Sequence, residues 1–290
     1  MISTVGAGAV AGEEWDVLRL DTLHPVVSGN KIFKLQPWLG LAGQEKKSSI
    51  LTFGGPWSNH IVATAFAARE HGLASMGIIR GEPLEQQTAT LEEAAGYGMN
   101  FRFLSRSHFR AARADEFRSF TRDYPDHLVI PEGGAGEPGA MGAERILDGI
   151  DMKRYTHIAC ACGTGTMLAG LVRAASGHQQ VWGIDVVGQG PALERSVKAM
   201  LPGGSSPDWR VLMGFERGGY ARHDRVLLEF MGRFHEEQGI PSDIVYTGKL
   251  FLAIEKLMER SPLPSGCRLL AIHSGGLQGN RSLAPGTISF

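Results

Sequence analysis

Residues 50–79 run ILTFGGPWSNHIVATAFAAREHGLASMGII, and their order decides the fold. Ile50 to Phe53 is a short apolar run that predicts a buried strand, and Gly54-Gly55-Pro56 is a turn. A helix follows from about Asn59 to His71, stopped by Gly72, and Met76 to Ile79 predicts the next strand. Strand, helix and strand within about 30 residues make a βαβ unit, which implies parallel pairing.

The same rhythm continues outward. A helix is expected around Thr88 to Ala95, a strand at Phe101 to Leu104, a long helix from His108 to Arg122 and a strand at Leu128 to Ile130. Further on come a strand at His157 to Cys160, a helix from Met167, a strand at Val181 to Val187 and helices near 191–200 and 224–238. A helix from Leu250 and a strand at Leu269 to Ile272 complete the pattern. The fold class is α/β, with two mostly parallel sheets and ligands at the loops beyond the carboxyl ends of the strands. No Pro/Ser-rich linker separates the halves, so the Gly-rich stretch Glu132 to Gly142 is the expected crossing point.

Composition narrows the function. The 290 residues are 43% hydrophobic and 20% charged, enough for a substantial core. Lys plus Arg number 29 against 30 for Asp plus Glu, a formal net charge of -1, so no strong field favours nucleic acid or an anionic membrane. The N-terminal MISTVGAGAVAGEEWDV is a poor secretory signal, and no 18-residue apolar run spans a bilayer. Cys160, Cys162 and Cys267 lack metal-ligand spacing, and the C-x-C pair reads as buried packing, so reduced thiols and the cytoplasm are expected.

Ser28-Gly29-Asn30-Lys31 is a turn entering an amphipathic helix, which places Lys31 at a helix N-terminus where the dipole opposes a cation. A neutral amine or imine suits that position; a solvated loop lysine is the plain alternative. Cys162-Gly163-Thr164-Gly165-Thr166 joins a strand to a helix and suits an anion such as phosphate. A nucleotide fold would use Asp185 on ribose, but Leu168 replaces the third glycine of its fingerprint. Ser58 and Asn59 are either helix caps or polar site groups, and the segment lacks the G-x-S-x-G of a serine hydrolase. Val245-Tyr246-Thr247-Gly248-Lys249 and His273-Ser274-Gly275-Gly276-Leu277-Gln278-Gly279 are two further corners, and neither His60 nor His273 has a metal-ligand partner in spacing.

In this order, the segments at 28–31, 54–60, 163–166, 245–249 and 273–276 resemble the 1-aminocyclopropane-1-carboxylate deaminase and D-cysteine desulfhydrase family. Those are pyridoxal 5'-phosphate enzymes with the tryptophan synthase β-subunit-like fold, fold type II. The resemblance implies a large cofactor-binding domain of residues 1–40 and 128–290 with a small inserted domain, 41–127. It implies that Lys31 carries the cofactor as a Schiff base, that Gly163, Thr164, Gly165 and Thr166 bind its phosphate, and that Asn59 meets its ring hydroxyl. Thr247 falls where the pyridine nitrogen finds its partner, Ser58 faces the substrate, Tyr220 and Tyr246 are the two site tyrosines, and Lys34 adds charge near the phosphate.

The implied reaction is lyase or deaminase chemistry on a small amino acid. β-Elimination from D-cysteine or a related D-amino acid, giving a 2-oxo acid and ammonia, is the first reading. Ring opening of 1-aminocyclopropane-1-carboxylate to 2-oxobutanoate is the second, and a non-catalytic nucleotide- or phosphate-binding protein is the alternative of another class. His60 and Thr247 stand where the deaminases carry Gln and Glu, which favours the desulfhydrase side. Leu18-Arg19-Leu20-Asp21 replaces the family's Lys-Arg-Asp-Asp run. A homodimer is the family's expectation.

Overall fold

The computed structural model describes residues 2–6, 15–83, 85–203, 207–261 and 263–290. Part of the N-terminal stretch read above as a poor secretory signal, Met1 and residues 7–14, lies outside them. Two sheets organise the chain, and the αβ alternation of the sequence appears in both.

The smaller sheet is built from β3 (Ser49–Gly54), β4 (Ala74–Arg80), β5 (Met99–Leu104) and β6 (His127–Ile130), in spatial order β5-β4-β3-β6, all parallel. Before it runs α1 (Asn30–Gln44); between its strands run α2 (Asn59–Glu70), α3 (Ala89–Gly96), α4 (Arg106–Ala114) and α5 (Arg118–Asp123). The larger sheet contains β1 (Ile2–Val5), β2 (Trp15–Arg19), β7 (His157–Cys162), β8 (Gln180–Asp185), β9 (Asp208–Leu212) and β10 (Leu269–His273). Its order is β1-β2-β10-β7-β8-β9, parallel except for the antiparallel β1–β2 edge. Its helices are α6 (Glu137–Glu144), α7 (Thr166–Ala174), α8 (Pro191–Ala199), α9 (Arg225–Gln238) and α10 (Thr247–Arg260).

Alternation along the central strands divides the large core in two. Val17, Ala159, Leu269 and Ala271 face the helices α9 and α10, while Leu18, Ile158, Cys160, Leu270 and Ile272 face α6 and α7. Cys160 and Cys162 are free, buried core residues, as the C-x-C pattern predicts. Leu35, Trp38 and Ala42 of α1 pack with Ile50, Ala63 and Leu128 on the small sheet. Pro37 lies inside α1 and removes the N–H that the Phe33 carbonyl would otherwise accept. There Gly142 of α6 sits so close that a Cβ would lie 2.0 Å from the Phe33 oxygen.

Three expectations need correction. The long helix from His108 to Arg122 is two helices, broken where Glu116 and Phe117 take φ of 50° and 58°. The break turns the Phe117 ring onto Phe53, with centroids 3.7 Å apart, so core packing overrides helical continuity. The strand expected to reach Val187 stops at Asp185, whose carboxylate caps the following loop. The helix expected from Leu250 begins at Thr247.

Candidate active site

The carboxyl ends of β3, β7 and β10 and the start of α1 converge on one cleft of about 570 Å³, including its open mouth. Lys31, Asn59, Gly163, Thr164, Gly165 and Tyr246 line it, with Ser28, Asn30, Lys34, Gly133 and Ser274 to Gly276. Among the described lining residues there is no carboxylate.

Gly29 makes the entry to α1 possible. Its φ of 66° and ψ of -137° suit glycine, and a Cβ there would lie 1.8 Å from the Ser274 carbonyl oxygen. The Asn30 N–H donates to that same oxygen at 3.1 Å, so the 28–31 turn and the 273–276 turn are locked together. Lys31 follows, its Nζ donating to Asn30 Oδ1 at 2.9 Å. Burial lowers its ammonium from 10.5 to about 8, against the opposing pull of Asp243. Lys34, one turn on, is buried and held well below its ordinary value by burial and by Lys31, and its Nζ reaches only the Gly133 carbonyl at 3.3 Å. Lys31 is thus no solvated loop lysine.

Ser58 is the N-cap residue of α2 by position, yet its side chain makes no capping bond. A Cβ on Gly54 would lie 2.9 Å from its Oγ. Asn59 donates from Nδ2 to the Gly276 carbonyl at 3.1 Å, while its buried Oδ1 has no partner. His60 Nε2 pairs with Thr52 Oγ1 at 2.8 Å and not with Ser58, so no Ser–His relay exists in this segment.

The Gly163–Thr166 loop places the α7 N-terminus at the cleft, with Gly165 left-handed at φ 79°. The Thr164 and Thr166 hydroxyls are 2.8 Å apart. Thr166 itself is fully buried beneath the loop. The Tyr246 ring covers Gly163, where a Cβ would meet it at 3.2 Å. Asp185 is committed elsewhere: its oxygens accept the N–H groups of Val187, Gly188 and Gly190 at 3.1, 2.8 and 2.7 Å. That carboxylate holds the 185–190 loop instead of facing the cleft.

Tyr220 and Tyr246 meet edge to face, centroids 6.4 Å apart, with Tyr220 42% exposed. The Arg80 guanidinium lies over Tyr220 at 5.9 Å. Burial, reinforced by Tyr220 and Asp243, holds the Tyr246 phenol well above 10. Thr247 is fully buried, and its hydroxyl donates to Asp243 Oδ1 at 2.7 Å while accepting the Asp243 N–H at 2.8 Å. Ser58, Thr166, Thr247 and Tyr220 are not among the residues lining the cleft.

Asp243 is the residue that sequence reasoning missed. It is fully buried and accepts the N–H groups of Val245, Tyr246 and Thr247 at 2.9, 3.1 and 2.8 Å. Burial raises its carboxyl nonetheless, with Thr247 and the backbone bonds opposing. An aspartate four residues ahead of a threonine at a helix start was the available signal.

Residues 11–275 match the family described as pyridoxal-phosphate dependent enzyme. The chain belongs to that family. It is 28% identical over 284 residues to a Thermotoga maritima protein named "Putative 1-aminocyclopropane-1-carboxylate deaminase", covering 91% of this chain and 88% of that one. It is 25% identical over 298 residues to the mitochondrial bifunctional D-cysteine desulfhydrase/1-aminocyclopropane-1-carboxylate deaminase of Arabidopsis thaliana, covering 94% and 74%. A crystal structure described as an ACC deaminase homologue superposes with a TM-score of 0.79 at 26% identity, covering 93% of this chain and 86% of that chain. An O-ureido-L-serine synthase shares the fold at 14% identity and a TM-score of 0.69, covering 98% and 90%.

The cleft of this pyridoxal-phosphate dependent enzyme fits the cofactor on its own chemistry. Two desolvated lysines without a lining carboxylate, beside a helix N-terminus, ask for an anion. The unpartnered Asn59 Oδ1 asks for a polar group opposite it. An amine brought to about 8 by burial can give up its proton and attack an aldehyde near neutral pH.

Proposed function

We propose that this chain is a lyase or deaminase acting on a small amino acid, with β-elimination from D-cysteine or a related D-amino acid as its reaction. The products would be a 2-oxo acid, ammonia and the departing β-substituent, which is hydrogen sulfide when the substrate is D-cysteine. The observation that carries the reading is the meeting of Lys31 with Gly163, Thr164 and Gly165 in one cleft. When bound, pyridoxal phosphate supplies an electron sink for the pair left at a substrate α-carbon. Lys31 would hold it and, as the base of the cleft, would take the proton from that carbon as the β-substituent departs. Gly163, Thr164, Gly165 and Thr166 hold the phosphate with Lys34, and Asn59 orients the ring. Thr247 would serve the pyridine nitrogen only by releasing the bond that its hydroxyl donates to Asp243. Ser58, Tyr246 and Tyr220 bind the substrate or pass protons, with phenols that stay protonated at neutral pH.

Ring opening of 1-aminocyclopropane-1-carboxylate is the second reading, favoured by the names of the relatives in Thermotoga maritima and Arabidopsis thaliana. The protein's absorption spectrum tests the site: a band near the visible edge, bleached by borohydride and absent in Lys31→Ala, is expected. No band after adding pyridoxal phosphate would sink the proposal. Assays on D-cysteine, L-cysteine and 1-aminocyclopropane-1-carboxylate then separate the two reactions.

We further propose a small domain that begins near residue 41 and ends at Ile130 rather than at 127, since β6 pairs with β3. Residence in the cytoplasm and a homodimer belong to the same reading; among the described residues no helix is long and apolar enough to cross a membrane. Sedimentation of the purified protein tests the dimer.

A further inference from the structure

We infer that Lys249 is a positioning residue for Tyr220: its ammonium fastens the turn that carries Tyr220 beside Tyr246 at the edge of the cleft. The inference rests on the reading above in one respect, that Tyr220 serves the reaction.

Lys249 is the third residue of α10 and only 1% exposed. A helix N-terminus repels a cation, and burial penalises it again. Burial lowers this ammonium to about 8 while Asp243 and Glu216 pull the other way and Arg217 and Asp224 act more weakly. Such a residue is retained at a cost to stability, which calls for a return.

The return lies in its three donors. Nζ donates to the carbonyls of Val186 at 3.1 Å, Glu216 at 2.7 Å and Gly219 at 2.8 Å. An ammonium has three N–H groups in a tetrahedral spread, and all are used. Val186 follows β8 and provides a rigid anchor. Glu216 and Gly219 bracket the turn immediately before Tyr220, where Arg217, Gly218 and Gly219 all have positive φ, 46°, 87° and 106°. One backbone bond, Gly219 N–H to the Glu216 carbonyl at 2.9 Å, closes that turn from within. Lys249 turns its carbonyls inward and joins it to the sheet.

Lys249 also stands three residues after Tyr246, the residue immediately before α10. The segment Val245 to Lys249 therefore presents one tyrosine at its start and fastens the other from its first turn.

Hydrogen exchange of the holoenzyme tests the fastening. Peptides covering 216–222 are expected to be protected in the wild type and to exchange at least tenfold faster in Lys249→Met, with peptides from β7 and β8 and the cofactor absorption unchanged. An unprotected turn in the wild type overturns the inference even if the variant fails to fold, and equal protection in both proteins overturns it as well. The kinetic arm is a double-mutant cycle on kcat/KM. Lys249→Met is expected to alter kcat and KM in the same ratio as Tyr220→Ala and to add less than twofold on top of it; fully multiplicative losses overturn the inference. If Tyr220→Ala alone leaves activity intact, the reading of Tyr220 fails, while the exchange result still decides the role of Lys249.

Discussion

Replacing Lys31 by methionine should abolish activity and at the same time stabilise the cofactor-free protein. Methionine keeps the length and flexibility of the side chain, so no cavity opens. What disappears is a cation whose ammonium burial lowers from 10.5 to about 8. That difference corresponds to a penalty of about 3 kcal/mol on the charged form. The bond from Nζ to Asn30 Oδ1 is lost too, worth about 0.5–1.5 kcal/mol. A net gain of about 1.5–2.5 kcal/mol at pH 7 remains. The sign with pH is fixed by linkage. Below about 8 Lys31 is charged in both folded and unfolded protein and the penalty is complete; between about 8 and 10.5 only the unfolded chain holds the proton, so wild-type stability rises. Urea unfolding of both cofactor-free proteins at several pH values is the assay. The variant's advantage should be largest at pH 7 and vanish as pH reaches 10.5. A variant less stable than wild type at pH 7, or an advantage independent of pH, refutes the reasoning.

Gly29→Ala should lose about 3–5 kcal/mol, since its Cβ would lie 1.8 Å from the Ser274 oxygen at a φ of 66°. The cofactor band should vanish with it, although Lys31 is present; thermal melting and absorption check both. Asp243→Asn puts an NH₂ group against backbone donors now served by a carboxylate, so the Kd for pyridoxal phosphate should rise at least tenfold, about 1.4 kcal/mol, in a spectroscopic titration. Asp16→Asn should cost about 3–5 kcal/mol by urea unfolding, because the buried carboxylate meets Arg268 at 2.8 and 2.9 Å and the Tyr155 hydroxyl at 2.7 Å. Burial would raise that carboxyl, but Arg268, Tyr155 and Thr4 outweigh it and hold it below 3.8. Its contribution is therefore complete above about 3.8 and fades as pH falls through the lowered folded value, so the gap between wild type and variant should narrow in acid.

Legibility in the sequence followed the range of each interaction. The βαβ unit from Ile50 to Ile79 and the Gly163–Thr166 loop are local patterns, and both appear where periodicity and turn chemistry put them. Lys31 stood out because its position conflicts with the helix dipole. The break at Phe117 was hidden, because the ring of Phe53, more than 60 residues earlier, decides it. The short strands β1, β2 and β9 gave no clear alternation, and β2 is defined by pairing with β10 at the other end of the chain. Asp243 and Lys249 find their partners in buried backbone groups, and for Lys249 those lie 30 or more residues away, beyond the reach of local pattern.

The lock between Gly29–Asn30 and Ser274 also governs when the protein can become an enzyme. During synthesis Lys31 emerges early and waits for about 240 further residues before the turn that seats it exists. Strand β2 waits likewise, because its parallel partner β10 lies about 250 residues further along the chain. Contacts of such sequence separation are slow to form, so the cleft assembles later than the local βαβ units of the small sheet. The cleft is therefore complete only after β10 and the turn that follows it have been made.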